Sequence, residues 1–370
     1  MYLGTDCPEY SSGLVPASGF GLSMFEGLRL EPELFFQLGA VAARLCTNDY
    51  QLRELFGQIF LDCEVSPAEY SSNSLRVTLC VLASANSSEP ILLEISGHDG
   101  STCKAALSSF FPELSLVTIS AGSGHASEWI CFACAEDPSR VVVAVCGEQI
   151  QVDRALPWQR VAAHYFLDHV MRMQPEYFFL HGATVTIAGK GVLLCGSKGA
   201  GKSTLYLALA GLGHQFLGDE IAQIHSKSGQ LLPNRRAISI RHGPQSAAAR
   251  SRLSCMDVAN EVMPDGTERL RVPVSRIFPD TQTLQMQSAH LAYAFFLAPR
   301  EAAPRARSFD FSWKQLAQLE IMSATLGSFP LAQRTMRFLV LFGSIQCFTL
   351  NPGGTPDQTA ALIEKIVVNQ

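Results

Sequence analysis

Apolar residues recur at i, i+3, i+4, i+7 and i+8 across residues 49–61, where Leu52, Leu55, Phe56, Ile59 and Phe60 share one face. That spacing predicts a helix, with Thr47, Asn48 and Asp49 available as N-caps. The pattern then breaks into short apolar runs that predict strands at Leu75–Ala83, Ile91–Ser96, Leu114–Ser120, Glu128–Cys134 and Arg140–Cys146. Turn-type segments separate them at Ser84–Pro90, Gly97–Gly100, Ala121–Ala126 and Asp137–Ser139. Connections this short favour an antiparallel meander. A second helix is expected over 157–173, opened by Pro157 and given an apolar side by Val161, Tyr165, Phe166 and Val170. Beyond it the pattern predicts an α/β segment from His181 to about Arg241, followed by a polar stretch over 243–280 with no clear period. Helices are expected near 312–325 and 330–342, a strand at 345–350, and a last helix from Pro356 with Thr355 as its cap and Leu362, Ile363, Ile366 and Val367 on one face. The expected organisation is a small mixed, strand-rich α+β domain over residues 1–155 and an α/β domain over 156–370.

Length and composition fit this division. A chain of 370 residues suggests about two domains, and 47% hydrophobic residues supply their cores. Only 16% of residues are charged, which excludes a disordered or heavily charged chain and leans towards a homo-oligomer with hidden surface. A net charge of −5 leaves no basic footprint for nucleic acid or an anionic membrane. The apolar runs are too short to span a bilayer, and the first residues lack the basic and apolar regions of a signal peptide. Eleven scattered cysteines, an odd number, suit a reducing cytoplasm.

Residues 196–203 read GSKGAGKS, a match to G-x-x-x-x-G-K-[ST] that arises by chance on the order of once in a hundred chains of this length. An apolar strand, Gly191–Cys195, precedes it and a helix-compatible run, Ser203–Ala210, follows, so the order is strand, loop, helix. Gly196, Gly199 and Gly201 let the backbone wrap an anion, and Ser197, Lys198, Ala200 and Thr204 complete the cradle. The helix N-terminus adds positive partial charge, Lys202 can reach the β- and γ-phosphates, and the Ser203 hydroxyl can ligate Mg²⁺. The expected ligand is therefore ATP with Mg²⁺.

Asp219-Glu220 lies just downstream. A helix from Lys202 to Gly211 climbs about 15 Å, and a strand over His214–Asp219 returns about 16 Å. Asp219 then lands beside the loop, at the carboxyl end of its strand, where ligands of α/β sheets bind. Upstream, Ala188–Gly191 reads as a hairpin turn. With the turn centred near Gly189–Lys190, Ala183 pairs with Gly196 and His181 stands level with the loop, positioned to hydrogen-bond Asp219.

The histidine at the head of the hairpin, the loop, Gly213-His214 and the acid pair together resemble the HPr kinase/phosphorylase family over roughly residues 155–241. The resemblance implies a P-loop HPr kinase/PEP carboxykinase-like catalytic domain and ATP-dependent phosphorylation of a seryl hydroxyl. It assigns Asp219 as general base with His181 beside it, and Glu220, where the family has a second Asp, to Mg²⁺ or the local hydrogen-bond network. The expected acceptor is a serine of a protein or peptide, or a small hydroxylated metabolite. Residues 1–155 would then serve acceptor recognition or oligomerisation. The region 243–280 departs from the family pattern, which points to the wider HPr kinase-related group.

Arg235, Arg236 and Arg241 are candidate phosphate contacts, and Arg250, Arg252, Arg269, Arg271 and Arg276 are candidates for delivery in trans. Cys131 and Cys134, three apart in a strand, point to opposite faces and read as structural. Two further readings stay open: a nucleotide-binding switch or ATPase without acceptor phosphorylation, and a phosphoenolpyruvate carboxykinase-like enzyme.

Overall fold

The computed structural model describes residues 33–47, 49–84, 92–96, 102–106, 116–117, 129–134, 140–146, 151–152, 156–241, 259–262, 268–279 and 288–369, with positions 246, 247, 250 and 253. The expected turns at Gly97–Gly100, Ala121–Ala126 and Asp137–Ser139, and Arg252, lie outside these residues.

The N-terminal strands are β1 (Leu34–Leu38), β2 (Val41–Thr47), β3 (Arg76–Ser84), β4 (Leu92–Ser96), β5 (Thr102–Ala106), β6 (Leu116–Val117), β7 (Trp129–Cys134) and β8 (Arg140–Cys146). Six of them form one sheet in the order β1-β2-β3-β8-β7-β6. The expected meander holds for β6, β7 and β8, which pair antiparallel, but β3 lies parallel to β8, and β2, a strand the sequence reading did not expect, lies parallel to β3. β2 and β3 are joined by a helical crossover: the helix Tyr50–Phe60, a 3₁₀ turn over Leu61–Cys63 and the helix Pro67–Ser72. A connection of that length returns the chain to the same end of the sheet. The first helix matches its expected bounds, and Asp49 caps it by accepting from Leu52 N. β4 and β5 pair antiparallel.

The short strands β9 (Gln151–Val152) and β10 (Leu156–Pro157) precede the helix Trp158–Arg172. Its Phe166 packs on Phe56 at a ring separation of 5.7 Å, and Ala163, Leu167 and Val170 join the core of Phe36, Leu52 and Phe60.

The following strands are β11 (Tyr177–Leu180), β12 (Gly182–Ile187), β13 (Lys190–Cys195), β14 (Gln215–Gly218), β15 (Ala222–His225), β16 (Gln230–Leu232), β17 (Ile238–Arg241), β18 (Ala259–Val262), β19 (Glu268–Val272), β20 (Ala289–Leu297), β21 (Arg305–Phe309) and β22 (Gln346–Asn351). Nine of them form a mixed sheet in which β13, β20 and β22 run parallel. β12 pairs antiparallel with both β13 and β14, so β14 runs in the same direction as β13. The ends of β13 and β14 and the start of β12 therefore meet at one edge. β17, β19 and β18 make a three-stranded sheet within the stretch of the sequence that shows no clear period.

Two expectations shift. The hairpin turn sits on Ala188–Gly189, with φ of +49° and +77°, so Ala183 pairs with Leu194 and Gly182 with Cys195. Two successive left-handed residues match the twist of a two-residue hairpin. The helix expected over 312–325 is two short ones, Trp313–Leu316 and Ser323–Ser328. Between them the backbone pairs with the end of β11, through a bridge from Ile321 to Leu180 and a bond from His181 N to Glu320 O of 2.8 Å. The helices Leu331–Gly343 and Pro356–Asn369 follow, the latter capped by Thr355, whose Oγ1 accepts from Gln358 N at 3.2 Å. Among the described residues no helix is long and apolar enough to cross a membrane.

Candidate phosphoryl-transfer site

The glycine loop joins β13 to the helix Lys202–Gly211, in the expected order. Gly199 and Gly201 have φ of +89° and +99°, which residues bearing a side chain rarely adopt. Tight turning of the backbone at these two glycines points peptide groups inward. Buried Lys202 lies within the curl and donates from Nζ to Gly196 O at 2.5 Å and to Ser197 O at 3.3 Å. Burial lowers its pKa, while Glu320, Asp219, Cys195 and Glu220 oppose that change. A phosphate chain in the loop would offer this ammonium stronger acceptors than neutral carbonyls.

Asp219 follows β14 and is 3% exposed. Burial, reinforced by the Glu220 charge, pushes its carboxyl up to about 7. The Ser203 hydroxyl, the Glu220 amide and Lys202 pull the other way. None of these donors closes a well-formed hydrogen bond, and both carboxylate oxygens are left without a partner. An orphaned buried carboxylate is costly unless a ligand completes it. Asp219 and the Ser203 hydroxyl are thus a pair of hard oxygen donors beside the loop, which suits Mg²⁺. Among the described residues no group of three or more His, Cys, Asp or Glu could hold a metal ion by itself. A divalent ion here therefore needs phosphate oxygens as well.

His181 stands level with the loop, one position before the Gly182–Cys195 pair. The expected bond to Asp219 is corrected: His181 Nδ1 bonds Glu220 O at 3.0 Å, and Nε2 lies 3.7 Å from Glu320 Oε2. The acid pair turns its backbone carbonyl, not the Asp219 carboxylate, towards the ring. Burial and then Lys202 lower the His181 pKa, against the charges of Glu320 and Glu220.

Burial pushes the Glu220 carboxyl up, but Arg236, Arg271, His181 and Arg269 outweigh it and hold the group below the usual range. Arg236 thus belongs to the site. Arg235 donates from Nε to Phe216 O at 3.2 Å, on the side of β14. Arg241 ends β17, opposite Arg269 in the register, and is partly buried. Arg269 and Arg271 add positive charge that acts on the Glu220 carboxylate. The sequence could not select them from five arginines, because β19 reaches the site only through its pairing with β17. Glu320 carried no sequence signal and arrives through the bridge to β11.

A pocket of about 540 Å³ flanks the outer side of the loop, lined by Ser197, Lys198, Thr204, Pro299, Arg300 and Pro352 among others. It is wide enough for the nucleoside end of a nucleotide whose phosphates lie in the loop.

A glycine loop between strand and helix, with an acid pair after the next strand but one, which runs in the same direction, defines a mixed α/β protein. No protein-family model matches the chain. Over 75 residues, 20% of this chain and 22% of the relative, it is 36% identical to the HPr kinase/phosphorylase of Pelodictyon phaeoclathratiforme. It is 38% identical over 71 residues to that of Chlorobium limicola, covering 19% and 21%, and 35% identical over 63 residues to that of Limosilactobacillus reuteri, covering 17% and 20%. The chain spans about a fifth of the length of these curated relatives. The solved HPr(Ser) kinase/phosphatase of Coxiella burnetii aligns with 52% of this chain and 94% of its own, at 18% identity and a TM-score of 0.26. The resemblance read from the residues is thus matched by curated relatives: the chain is HPr kinase/phosphorylase-like over that segment.

Proposed function

We propose that the chain is an ATP-dependent, Mg²⁺-requiring phosphotransferase that acts on a hydroxyl group. The observation that carries this reading is the buried Asp219 carboxylate, unpartnered beside Ser203 at the mouth of the glycine loop. Residues 196–204 hold the phosphates, Lys202 reaches the terminal ones, and Ser203 with Asp219 borders the Mg²⁺ position. Mg²⁺ supplies charge neutralisation of the transferred group. Asp219 accepts the proton of the attacking hydroxyl, a task suited to a carboxyl tuned near 7. His181 steadies the acid pair through the Glu220 carbonyl.

The relatives are named for HPr, so a protein serine is the first acceptor to try; a peptide serine or a small hydroxylated metabolite are the others. Residues 156–370 form the catalytic part in this reading, and residues 1–155 recognise the acceptor or build a homo-oligomer. The buried free thiols of Cys46, Cys63, Cys195 and Cys347 suit a reducing, cytoplasmic setting. The test is transfer of labelled γ-phosphate from ATP to HPr, to seryl peptides and to hydroxylated metabolites. Transfer that needs Mg²⁺ and disappears in Asp219→Asn is expected. Full activity in that variant would remove Asp219 as the base, and nucleotide binding without any transfer would favour the switch reading.

A further inference from the structure

Glu220 has a φ of +67°. The other described non-glycine residue in this region is Ala188, in the hairpin turn. A residue with a side chain stays left-handed inside a fold only where its surroundings over-determine it. Two contacts do so here. His181 Nδ1 bonds the Glu220 carbonyl at 3.0 Å. Residues 234–237 run as a strap beside the end of β14: Asn234 N donates to Leu217 O at 2.7 Å, and Asn234 bridges Gly218. A Cβ on Gly218 would lie 2.9 Å from Asn234 O, so only glycine admits the strap this closely. The strap also carries Arg236, 8% exposed, whose positive charge helps to hold the Glu220 carboxyl below the usual range without pairing with it directly.

Arg236 is itself held from behind. Its guanidinium lies over the Phe60 ring, 6.0 Å from the centroid, and the next residue, Ala237, donates its N–H to Ile59 O at 2.7 Å. The end of the Tyr50–Phe60 helix therefore backs the arginine. Arg269 and Arg271 share one face of β19 and bring two more positive charges towards the same carboxylate. Asp219, the adjacent residue, has neither oxygen engaged.

We propose that Glu220 is a positioning residue, a pivot whose left-handed backbone, held by His181 and by the strap that carries Arg236, aims Asp219 at the phosphate loop; Glu220 is not a metal ligand. This rests on Asp219 being the reacting carboxylate. Its distinctive consequence is that the backbone conformation at 220 matters more than the carboxylate as an oxygen donor.

The full chain is tested with Glu220→Gly, Glu220→Ala and Arg236→Gln. Glycine enters the left-handed region freely and alanine does not, so Glu220→Gly should retain more turnover than Glu220→Ala. In the ATP complex, Glu220→Gly should bind Mn²⁺, followed by electron paramagnetic resonance, within about 3-fold of wild type. Arg236→Gln should lower kcat while leaving KM for ATP nearly unchanged. Equal turnover losses in the glycine and alanine variants, or Mn²⁺ binding weakened by more than about 10-fold in Glu220→Gly, would overturn the pivot. A nucleotide-free readout separates this from the functional reading. The double variant Arg236→Gln/Glu220→Gln should lose less thermal stability than the sum of its singles. Additive losses overturn the pivot even if the chain proves to bind no ATP, an outcome that by itself would refute only the proposed function.

Discussion

Asp219→Asn should make the metal-free protein more stable above neutral pH while removing its activity. In the fold, burial raises the Asp219 carboxyl from an ordinary 3.8 to about 7. The native state therefore keeps a proton that the unfolded chain has already released. The stability linked to this group is fully present below about 3.8 and is lost as pH rises through about 7. A carboxyl raised that far accounts for about 4 kcal/mol at most. Between about pH 5 and pH 8 the expected loss is about 3 kcal/mol, because the slope ends at the folded value. Asparagine has nearly the same shape and does not ionise, so it carries no such slope. The assay is urea unfolding of both proteins across that range, with a chelator present and no nucleotide. Differences from every other titrating group cancel between the two curves. The expected result is a gap that opens in favour of Asp219→Asn as pH rises, together with a fall in phosphoryl transfer of about 100-fold or more. Parallel stability curves would refute the argument, since they would mean that the carboxylate is ionised and solvated in the native state. Mg²⁺ and ATP should narrow the gap by completing the wild-type carboxylate.

Three further outcomes follow from the same geometry. Lys202→Met removes the ammonium that now bonds Gly196 O, and should weaken ATP binding by about 10-fold or more, as read by calorimetry. Gly201→Ala forces a side chain into a φ of +99° and should cost about 1–3 kcal/mol of stability, read by chemical denaturation, with a matching loss of nucleotide affinity. His181→Ala removes the bond to the Glu220 carbonyl and should lower kcat more than it changes KM for ATP; His181→Asn, which keeps a donor near that position, should recover part of the loss.

Much of the site was legible because it is local. The loop, its helix and the returning strand are covalently continuous, so helix rise and strand rise alone bring Asp219 back to the loop. His181 falls level with the loop by hairpin register, and the one-residue shift of the turn to Ala188–Gly189 left that conclusion intact. The His181–Asp219 bond failed because orientation, unlike position, depends on the strained backbone at Glu220. The meander failed at β3 for a different reason. Short apolar runs reveal that strands exist, but not that β3 would pair in parallel with the distant β8 instead of with its sequence neighbour.

By itself the sequence determined the local elements: a glycine-lined turn where backbone must curl, a lysine and serine at the helix start, and an acid pair one helix-and-strand length away. These follow from bond geometry and periodicity, which act over a few residues. Only the tertiary structure decided which distant side chains surround that acid pair. Arg236 is braced by Phe60, Arg269 and Arg271 come with β19, and Glu320 enters through its bridge to β11. Apolar patterning says which face of an element is buried and is silent on which other element buries it. Selection among five similar arginines therefore waits for the packing of whole layers.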